Sequence, residues 1–294
     1  MAITFLSRLP EAAETRWLAA LAQALPNEKI SLGADPQADV AIVANPPRGV
    51  LAGLPKLAFV QSAWAGVDGL LGDPDLPRVP IARLIDPGLT AHMAQAVAAH
   101  VLFLHRQAPA YAAQQRRGLW RQLPQPPAAQ RRVGFLGYGE LARAAAKTLN
   151  DIGFPTSAWS RSEGDLEDVL ATSDIVVNLL PLTDATHGIL CDEAFKRMKP
   201  GAAIINLARG AHVVEADLIA ALDAGRLSHA ILDVFEAEPL ARNHPFWSHP
   251  QITVLPHVAA VTDPASASAF IAANIARFRA GEPLQGLVNR KAGY

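Results

Sequence analysis

The chain has 294 residues, half of them hydrophobic, and its formal net charge at pH 7 is -1. This length favours two domains over one large core. A charge so close to zero, without a long basic or acidic run, indicates no binding of nucleic acid or of an anionic membrane and favours a small-molecule partner.

Cys191 is the only cysteine, which excludes an intrachain disulfide and a cysteine-built metal site and fits a reducing cytoplasm. The first residues lack the apolar run of a signal peptide, and no other run is long enough to cross a bilayer. We therefore expect a cytoplasmic protein that is neither exported nor inserted in a membrane.

Short apolar runs alternate with helical stretches in the first part of the chain, which is typical of a parallel sheet covered by helices. Strands are predicted over residues 3–6, 40–43, 57–61 and 81–84, and an amphipathic helix over 11–25. This part of the chain contains few candidates for catalysis.

A long helix is predicted over residues 90–107, because Met93, Val97, Val101 and Leu104 recur at three- and four-residue spacings on one face. We interpret it as the crossover between two domains.

Residues 116–127 are polar and rich in proline, so a helix cannot continue through them. We expect an exposed arm before a new domain. Trp120 in this arm either enters the cleft of a partner subunit or anchors the arm to its own domain, and the sequence leaves both options open.

A strand over 132–136 leads directly into a G-x-G-x-x-A turn and a helix over 143–149. Gly137 permits the tight turn, Gly139 lets the backbone approach a pyrophosphate, and Ala142 allows the helix to pack closely. This context predicts dinucleotide binding, rather than an ordinary tight turn. The expected cofactor contacts here are Gly137, Tyr138, Gly139, Glu140 and Leu141.

The strand predicted over 155–159 ends where proteins that bind NAD place an acid against the ribose hydroxyls. Here the chain reads Ser160-Arg161-Ser162, and the first carboxylate is Glu163. A fixed cation with two hydroxyls suits a 2′-phosphate, so the sequence favours NADPH over NADH. The alternative is that Arg161 only caps the strand and faces solvent.

Three polar residues, Arg209, Glu238 and His257, follow apolar runs that are typical of buried parallel strands. If these strands share one sheet, their ends converge at the edge where open α/β sheets bind ligands. Taken singly, each residue has a structural alternative. His257 is then a structural histidine whose hydrogen bonds are satisfied, Glu238 an acid at a helix start or in a loop, and Arg209 an arginine paired with a surface acid. Taken together, they favour a catalytic site.

The order of several motifs resembles the D-isomer-specific 2-hydroxyacid dehydrogenase family, and within it the glyoxylate/hydroxypyruvate reductase branch. The resemblance extends over nearly the whole chain. It includes, besides the glycine turn, Ala65-Gly66-Val67-Asp68, Trp159-Ser160-Arg161, Asn178-Leu179-Leu180-Pro181-Leu182-Thr183, Asn206-Leu207-Ala208-Arg209-Gly210, the block from Asp233 to Leu240, and Pro256-His257-Val258-Ala259.

The resemblance implies two Rossmann-like or flavodoxin-like domains, each a doubly wound parallel α/β sheet, with an active-site cleft between them. We expect residues 1–97 with 265–294 to form the substrate domain and residues 98–264 to form the NADP-binding domain. The implied activity is reduction of glyoxylate or hydroxypyruvate by NADPH in a homodimer.

Reduction of a 2-oxo acid requires hydride at the carbonyl carbon and a proton for the developing alkoxide. We expect His257 to donate the proton and Glu238 to orient and charge the imidazole. Arg209 is expected to hold the 2-oxo acid in a bidentate geometry that lysine cannot copy.

Other contacts are expected on both sides of the cleft. The backbone amides of Ala65 and Gly66 are expected to take a carboxylate oxygen of the substrate. Asp233 is expected either to contact the nicotinamide or to be hydrogen-bonded scaffolding. Further cofactor contacts are expected from Leu180, Pro181 and Ala208.

Trp64 stands where relatives in this branch often carry glycine. Its indole either forms a wall or lid at the substrate mouth, which selects the size of the 2-oxo acid, or packs into the core near the hinge. The two interpretations remain open.

Several other functions are compatible with parts of the sequence. A D-2-hydroxyacid dehydrogenase for bulkier substrates and a non-catalytic, dinucleotide-sensing corepressor remain alternatives, whereas the Glu238–His257 combination argues against a formate dehydrogenase. His92, His100 and His105 share one helical stretch without an acid or cysteine at suitable spacing, so we expect no metal.

Overall fold

Two parallel β-sheets organise the computed structural model, which describes residues 2–294. The strands are β1 (Ala2–Ser7), β2 (Lys29–Leu32), β3 (Val40–Ala44), β4 (Phe59–Ser62), β5 (Ile81–Ala82), β6 (Val133–Leu136), β7 (Thr156–Trp159), β8 (Ile175–Asn178), β9 (Ala202–Asn206), β10 (Leu227–Leu232) and β11 (Ile252–Val254). The α-helices are α1 (Glu11–Ala24), α2 (Asp68–Leu71), α3 (Pro87–His105), α4 (Ala108–Arg116), α5 (Glu140–Asp151), α6 (Leu166–Thr172), α7 (Asp192–Arg197), α8 (Glu215–Asp223) and α9 (Pro264–Ala280).

The chain divides into two compact units. One contains the described residues up to Leu89 together with Thr262–Tyr294, and the other contains Thr90–Val261. Each unit holds one sheet with helices around it, which confirms the predicted class of two doubly wound parallel α/β domains. No helix within residues 2–294 is both long enough and apolar enough to cross a membrane.

The first unit is built on a five-stranded parallel sheet in the order β2-β1-β3-β4-β5. Its central strands carry continuous apolar runs because both faces of the sheet are covered. Ile3 and Phe5 of β1 are fully buried, and they share a core with Trp17 of α1 and Ile271 of α9.

The C-terminal helix α9 completes the first unit. Asn274 of α9 donates from Nδ2 to Oε1 of Gln61 on β4 at 2.6 Å, and both side chains are buried. Arg279, near the end of α9, forms an ion pair with Glu28 at 3.2 Å and another with Asp39. These contacts show why the first unit needs both ends of the chain.

The second unit has a six-stranded parallel sheet in the order β11-β10-β9-β8-β6-β7. The chain passes from β6 outward to β7 and then returns to β8 on the other side of β6. Ligands of open α/β sheets bind at such a reversal of strand order, outside the carboxyl ends of the strands. The glycine turn after β6 therefore lies at the reversal point.

Two differences from the sequence-based expectations have physical causes. Strand β2 was not predicted because polar and apolar residues alternate in it at the sheet edge and none of them is buried. Gln107 has a left-handed φ of 56°, which ends the long helix and separates α4 from it. The second unit begins at Thr90, within α3, and residues 116–127 lie inside this unit.

The apolar face of α3 explains this division. Met93, Val97, Val101 and Leu104 are all buried in the core that contains Phe135 of β6. The expected domain boundaries lie at residues 97/98 and 264/265. The two units divide at residues 89/90 and 261/262. In each case the first boundary lies within α3 and the second lies near the start of α9.

Candidate active site

The turn after β6 is fixed by a glycine that no other residue can replace without strain. Gly137 has a φ of +90°, and a Cβ at this position would lie 2.8 Å from the carbonyl oxygen of Leu179. The turn therefore packs against the loop that follows β8. This contact brings the predicted residues Gly137 and Leu180 together.

The N-terminus of α5 fits a dinucleotide phosphate. Gly139 caps the helix, and a Cβ built on it would meet no atom within 4 Å, so space is open above the backbone. The helix begins at Glu140, which puts Glu140 and Leu141 in its first turn. Free amides at a helix N-terminus attract anions, and the open space lets a pyrophosphate approach them.

A tight turn follows β7. The backbone N–H of Ser160 donates to the carbonyl of Glu163 at 2.7 Å, and the hydroxyls of Ser160 and Ser162 lie 3.3 Å apart. Glu163 forms an exposed ion pair with Arg143 at 3.0 Å. This pairing partly neutralises the carboxylate nearest to the turn that carries Arg161.

Arg143 was missed by the sequence reasoning. Its guanidinium lies 4.3 Å from the ring centroid of Tyr138, a predicted cofactor residue. This arginine belongs to no recognised motif. Its contacts depend on how α5 packs against the turns after β6 and β7, which the sequence does not show.

The loops after β9 and β10 lie against each other. A Cβ on Gly210 would lie 1.9 Å from the carbonyl carbon of Phe235, so only glycine permits this approach. Arg209, which precedes it, donates from Nη1 to the carbonyl of Ala208 at 2.7 Å. The loop that carries Arg209 is therefore held beside the loop that carries Glu238.

Glu238 and His257 form a hydrogen-bonded pair. Nδ1 of His257 lies 2.8 Å from Oε2 of Glu238, and Oε1 of Glu238 accepts the backbone N–H of Phe235 at 3.0 Å. A carboxylate can only accept, so Nδ1 of His257 donates to it. The pair leaves Nε2 for proton transfer, and the histidine side chain is 52% exposed.

Asp233 holds the backbone around His257. The carboxylate is almost fully buried, and its two oxygens accept the backbone N–H groups of Val258 and Ala259, each at 2.8 Å. His257 itself has a φ of 55°, and its N–H donates to the carbonyl of Asp233 at 2.9 Å. A left-handed non-glycine residue persists only where its surroundings impose it, and Asp233 supplies that constraint.

These contacts give Asp233 the scaffolding role that was one of its two expected roles. The charge of Asp233 also acts on His100 of α3. Burial lowers the pKa of the His100 imidazole, and the Asp233 carboxylate offsets part of that effect. Among residues 2–294, no group of three or more His, Cys, Asp and Glu side chains could hold a metal ion.

Three predicted substrate residues lie in the first unit, between β4 and α2. Trp64 is partly buried, and its ring meets that of Trp17 edge-on with centroids 5.7 Å apart. Ala65 and Gly66 follow it in the bend that leads to α2. Within its own unit the indole therefore packs against the core, and its role toward a substrate stays a prediction.

The chain matches the family model described as D-isomer specific 2-hydroxyacid dehydrogenase, NAD binding domain, over residues 98–259. It is also 38% identical over 299 residues to glyoxylate/hydroxypyruvate reductase A of Salmonella typhi, a match that covers 95% of this chain and 96% of that relative. The chain therefore belongs to the D-isomer specific 2-hydroxyacid dehydrogenase family.

Solved structures agree with this assignment. A family member from Xanthobacter autotrophicus Py2 in complex with NADPH and MES superposes with a TM-score of 0.95 at 38% identity, covering 100% of this chain and 99% of that one. An NADPH-dependent glyoxylate/hydroxypyruvate reductase from Sinorhizobium meliloti in complex with NADP and sulfate gives a TM-score of 0.93 at 36% identity, with the same coverage. The chain is thus an NAD(P)-dependent oxidoreductase, and its general reaction is the reduction of 2-oxo acids.

Proposed function

We propose that this protein reduces small 2-oxo acids, glyoxylate and hydroxypyruvate, to 2-hydroxy acids with NADPH. The observation that carries the proposal is the His257–Glu238 pair, with a separation of 2.8 Å between Nδ1 and the carboxylate. A reductase needs a proton donor beside the carbonyl, and a carboxylate-oriented imidazole is suited to that role. The names of the Salmonella and Sinorhizobium relatives support the choice of substrates.

A bound nicotinamide dinucleotide supplies the hydride. His257 delivers a proton from Nε2 to the carbonyl oxygen as negative charge develops on it, and the hydrogen bond from Nδ1 to Glu238 orients the ring for this transfer. Because Glu238 is itself held by the N–H of Phe235, the imidazole is oriented before a substrate binds.

Arg209 is proposed to bind the carboxylate and the carbonyl of the 2-oxo acid. Its guanidinium is oriented by the hydrogen bond to the carbonyl of Ala208, and the close approach of Gly210 to Phe235 holds the loop that carries it. The backbone amides of Ala65 and Gly66 are proposed to take the remaining carboxylate oxygen. The nicotinamide contact of Asp233 also stays a prediction.

The proposal is tested with purified protein, by following NADPH oxidation with glyoxylate and with hydroxypyruvate. We expect His257→Ala to lower kcat by roughly 100-fold or more while NADPH still binds. Arg209→Ala should in addition raise KM for the 2-oxo acid. His187→Ala, which changes an exposed histidine of the same unit, is the control.

Wild-type-like kcat/KM in His257→Ala would contradict the proton-donor role. NADPH binding without turnover of either 2-oxo acid would contradict the reductase itself and favour a dinucleotide sensor, whereas turnover only of larger 2-oxo acids would favour a dehydrogenase for bulkier substrates.

We also propose a cytoplasmic homodimer. The single cysteine supports the compartment. The fully exposed indole of Trp120, next to the half-exposed Leu119, supports an interface in the arm, because large exposed apolar side chains mark interaction surfaces. Sedimentation equilibrium is expected to give twice the chain mass for the wild type and a smaller mass for Trp120→Ser.

A further inference from the structure

Three buried polar side chains lie behind the carboxyl edge of the second sheet. We call them the amide–imidazole network: Asn178 at the end of β8, Asn206 at the end of β9 and His212 after it. None of the three is exposed to solvent. Buried polar groups are costly unless they are hydrogen-bonded, so the contacts of this network determine whether it can exist.

The amide directions follow from the backbone groups around them. The N–H of Leu180 donates to Oδ1 of Asn178 at 3.2 Å, which identifies the other end of that amide as the NH2 group. This NH2 group donates to Oδ1 of Asn206 at 3.0 Å and to Nδ1 of His212 at 2.9 Å. Both of its hydrogens are therefore used.

The far ends of the network reach two loops. Oδ1 of Asn206 also accepts the N–H of Ala208 at 3.2 Å, and Nδ2 of Asn206 donates to the carbonyl of Arg209 at 2.9 Å. Nδ1 of His212 accepts, so the proton of the neutral ring lies on Nε2, which faces the carbonyl of Pro181 at 3.3 Å.

One loop, residues 179–181, packs on the glycine turn. The other loop, residues 207–209, ends at the arginine of the proposed active site. We infer that the amide–imidazole network positions both loops, the 179–181 loop for the dinucleotide and the 207–209 loop for the 2-oxo acid. The inference rests on the proposed function for what each loop binds, whereas the link between the loops rests on the hydrogen bonds alone.

Two substitutions, one at each end of the network, separate the two connections. In His212→Asn the side-chain oxygen replaces Nδ1 and still accepts from Asn178, but the donor to the carbonyl of Pro181 is lost. In Asn206→Asp one carboxylate oxygen still accepts from Asn178 and from the N–H of Ala208, but the donor to the carbonyl of Arg209 is lost. Each variant therefore frees one end of the network and keeps the other.

Loss of one hydrogen bond that leaves a buried partner unsatisfied weakens binding by roughly tenfold. We expect His212→Asn to raise the Kd for NADPH by about that factor, with little change in KM for glyoxylate at saturating NADPH. Asn206→Asp should raise KM for glyoxylate by a similar factor and change the Kd for NADPH little.

The control is His229→Gln, which changes another buried histidine of the same unit. Nε2 of His229 bonds to the hydroxyl of Thr253 at 2.9 Å, and His229 pairs with Ala203 near the start of β9, away from the strand ends that carry both loops. The control should lower the thermal stability without changing either constant. Amide hydrogen exchange of the ligand-free proteins adds a readout that needs no activity: His212→Asn should deprotect residues 179–182, and Asn206→Asp residues 207–210.

If His212→Asn and Asn206→Asp lower only the melting temperature, as the control does, the network serves stability alone and the inference is wrong. It is also wrong if both variants change the same constant and the same loop, because the network then supports one loop alone. If the wild type neither binds NADPH nor reduces glyoxylate, the proposed function fails, and the exchange pattern still decides whether the network links the loops.

Discussion

At the residue scale, Glu238 is expected to hold the proton donor in place. Glu238→Gln keeps the shape of the side chain but replaces the charge-assisted hydrogen bond to Nδ1 of His257 by a bond to a neutral amide. Because the imidazole is then held less firmly, kcat should fall by roughly tenfold, with little change in KM for NADPH. Steady-state kinetics with glyoxylate measures both constants.

Glu236→Gln is the control, since Glu236 is an exposed acid of the same loop. If Glu238→Gln keeps the kcat of the control, Glu238 does not orient the proton donor.

The turn after β7 is expected to select the cofactor. Arg161 and the hydroxyls of Ser160 and Ser162 stand where a carboxylate would repel the 2′-phosphate of NADPH. Arg161→Ala should raise KM for NADPH by roughly tenfold and change KM for NADH little. Ser160→Asp should turn the preference toward NADH.

Steady-state kinetics with both cofactors checks these shifts. Equal KM values for NADPH and NADH in the unmodified protein would contradict the assignment, and Arg161 would then act only as a strand-end residue.

At the scale of elements, two glycines of the β6–α5 turn are expected to behave differently. Gly139→Ala should fold normally, because its Cβ meets no protein atom, but should raise the Kd for NADPH by roughly tenfold as the methyl group occupies the space of the pyrophosphate. Gly137→Ala should destabilise the fold by about 1 to 3 kcal/mol or more, because its positive φ and its contact with Leu179 both oppose a side chain.

Thermal denaturation and fluorescence titration with NADPH separate the two effects. A Gly139→Ala protein that binds NADPH as the wild type does would show that the cofactor phosphates lie elsewhere.

At the scale of the whole molecule, stability is expected to fall in mild acid because of a buried histidine. His229 on β10 is 7% exposed, and burial, with a smaller effect of the nearby His249, lowers its pKa to about 4. The histidine of the unfolded chain binds a proton at the usual pKa of about 6.5, whereas in the folded chain it binds a proton only near pH 4. The stability contribution of the neutral ring is present above about pH 6.5 and is lost as the pH falls toward 4.

Between pH 7 and pH 5 this histidine should reduce the free energy of unfolding by about 2 kcal/mol. His229→Gln removes the titration, so its urea-unfolding free energy should fall less than that of the wild type over this range. Parallel pH curves for the two proteins would show that His229 titrates equally in the folded and unfolded states.

Much of the fold could be predicted because its determinants are local. Apolar runs of four to six residues between helical stretches indicate buried parallel strands, and the spacing of Gly137 and Gly139 identifies the turn after β6. The edge strand β2 escaped prediction because it lacks an apolar run, and the break at Gln107 escaped because a left-handed residue other than glycine has no clear sequence pattern.

By itself, the sequence determined the alternation that builds two parallel sheets, the glycine turn, and the absence of an acid after β7. It also determined which residue types could transfer a proton. Only the tertiary structure decided which of them meet: His257 reaches Glu238 across 19 positions, and Asn178 reaches Asn206 across 28. The backbone amides of Val258 and Ala259 likewise made Asp233 part of the scaffold. Local periodicity fixes the kind of element, whereas the register of strands far apart in the chain depends on packing both faces of the sheet at once.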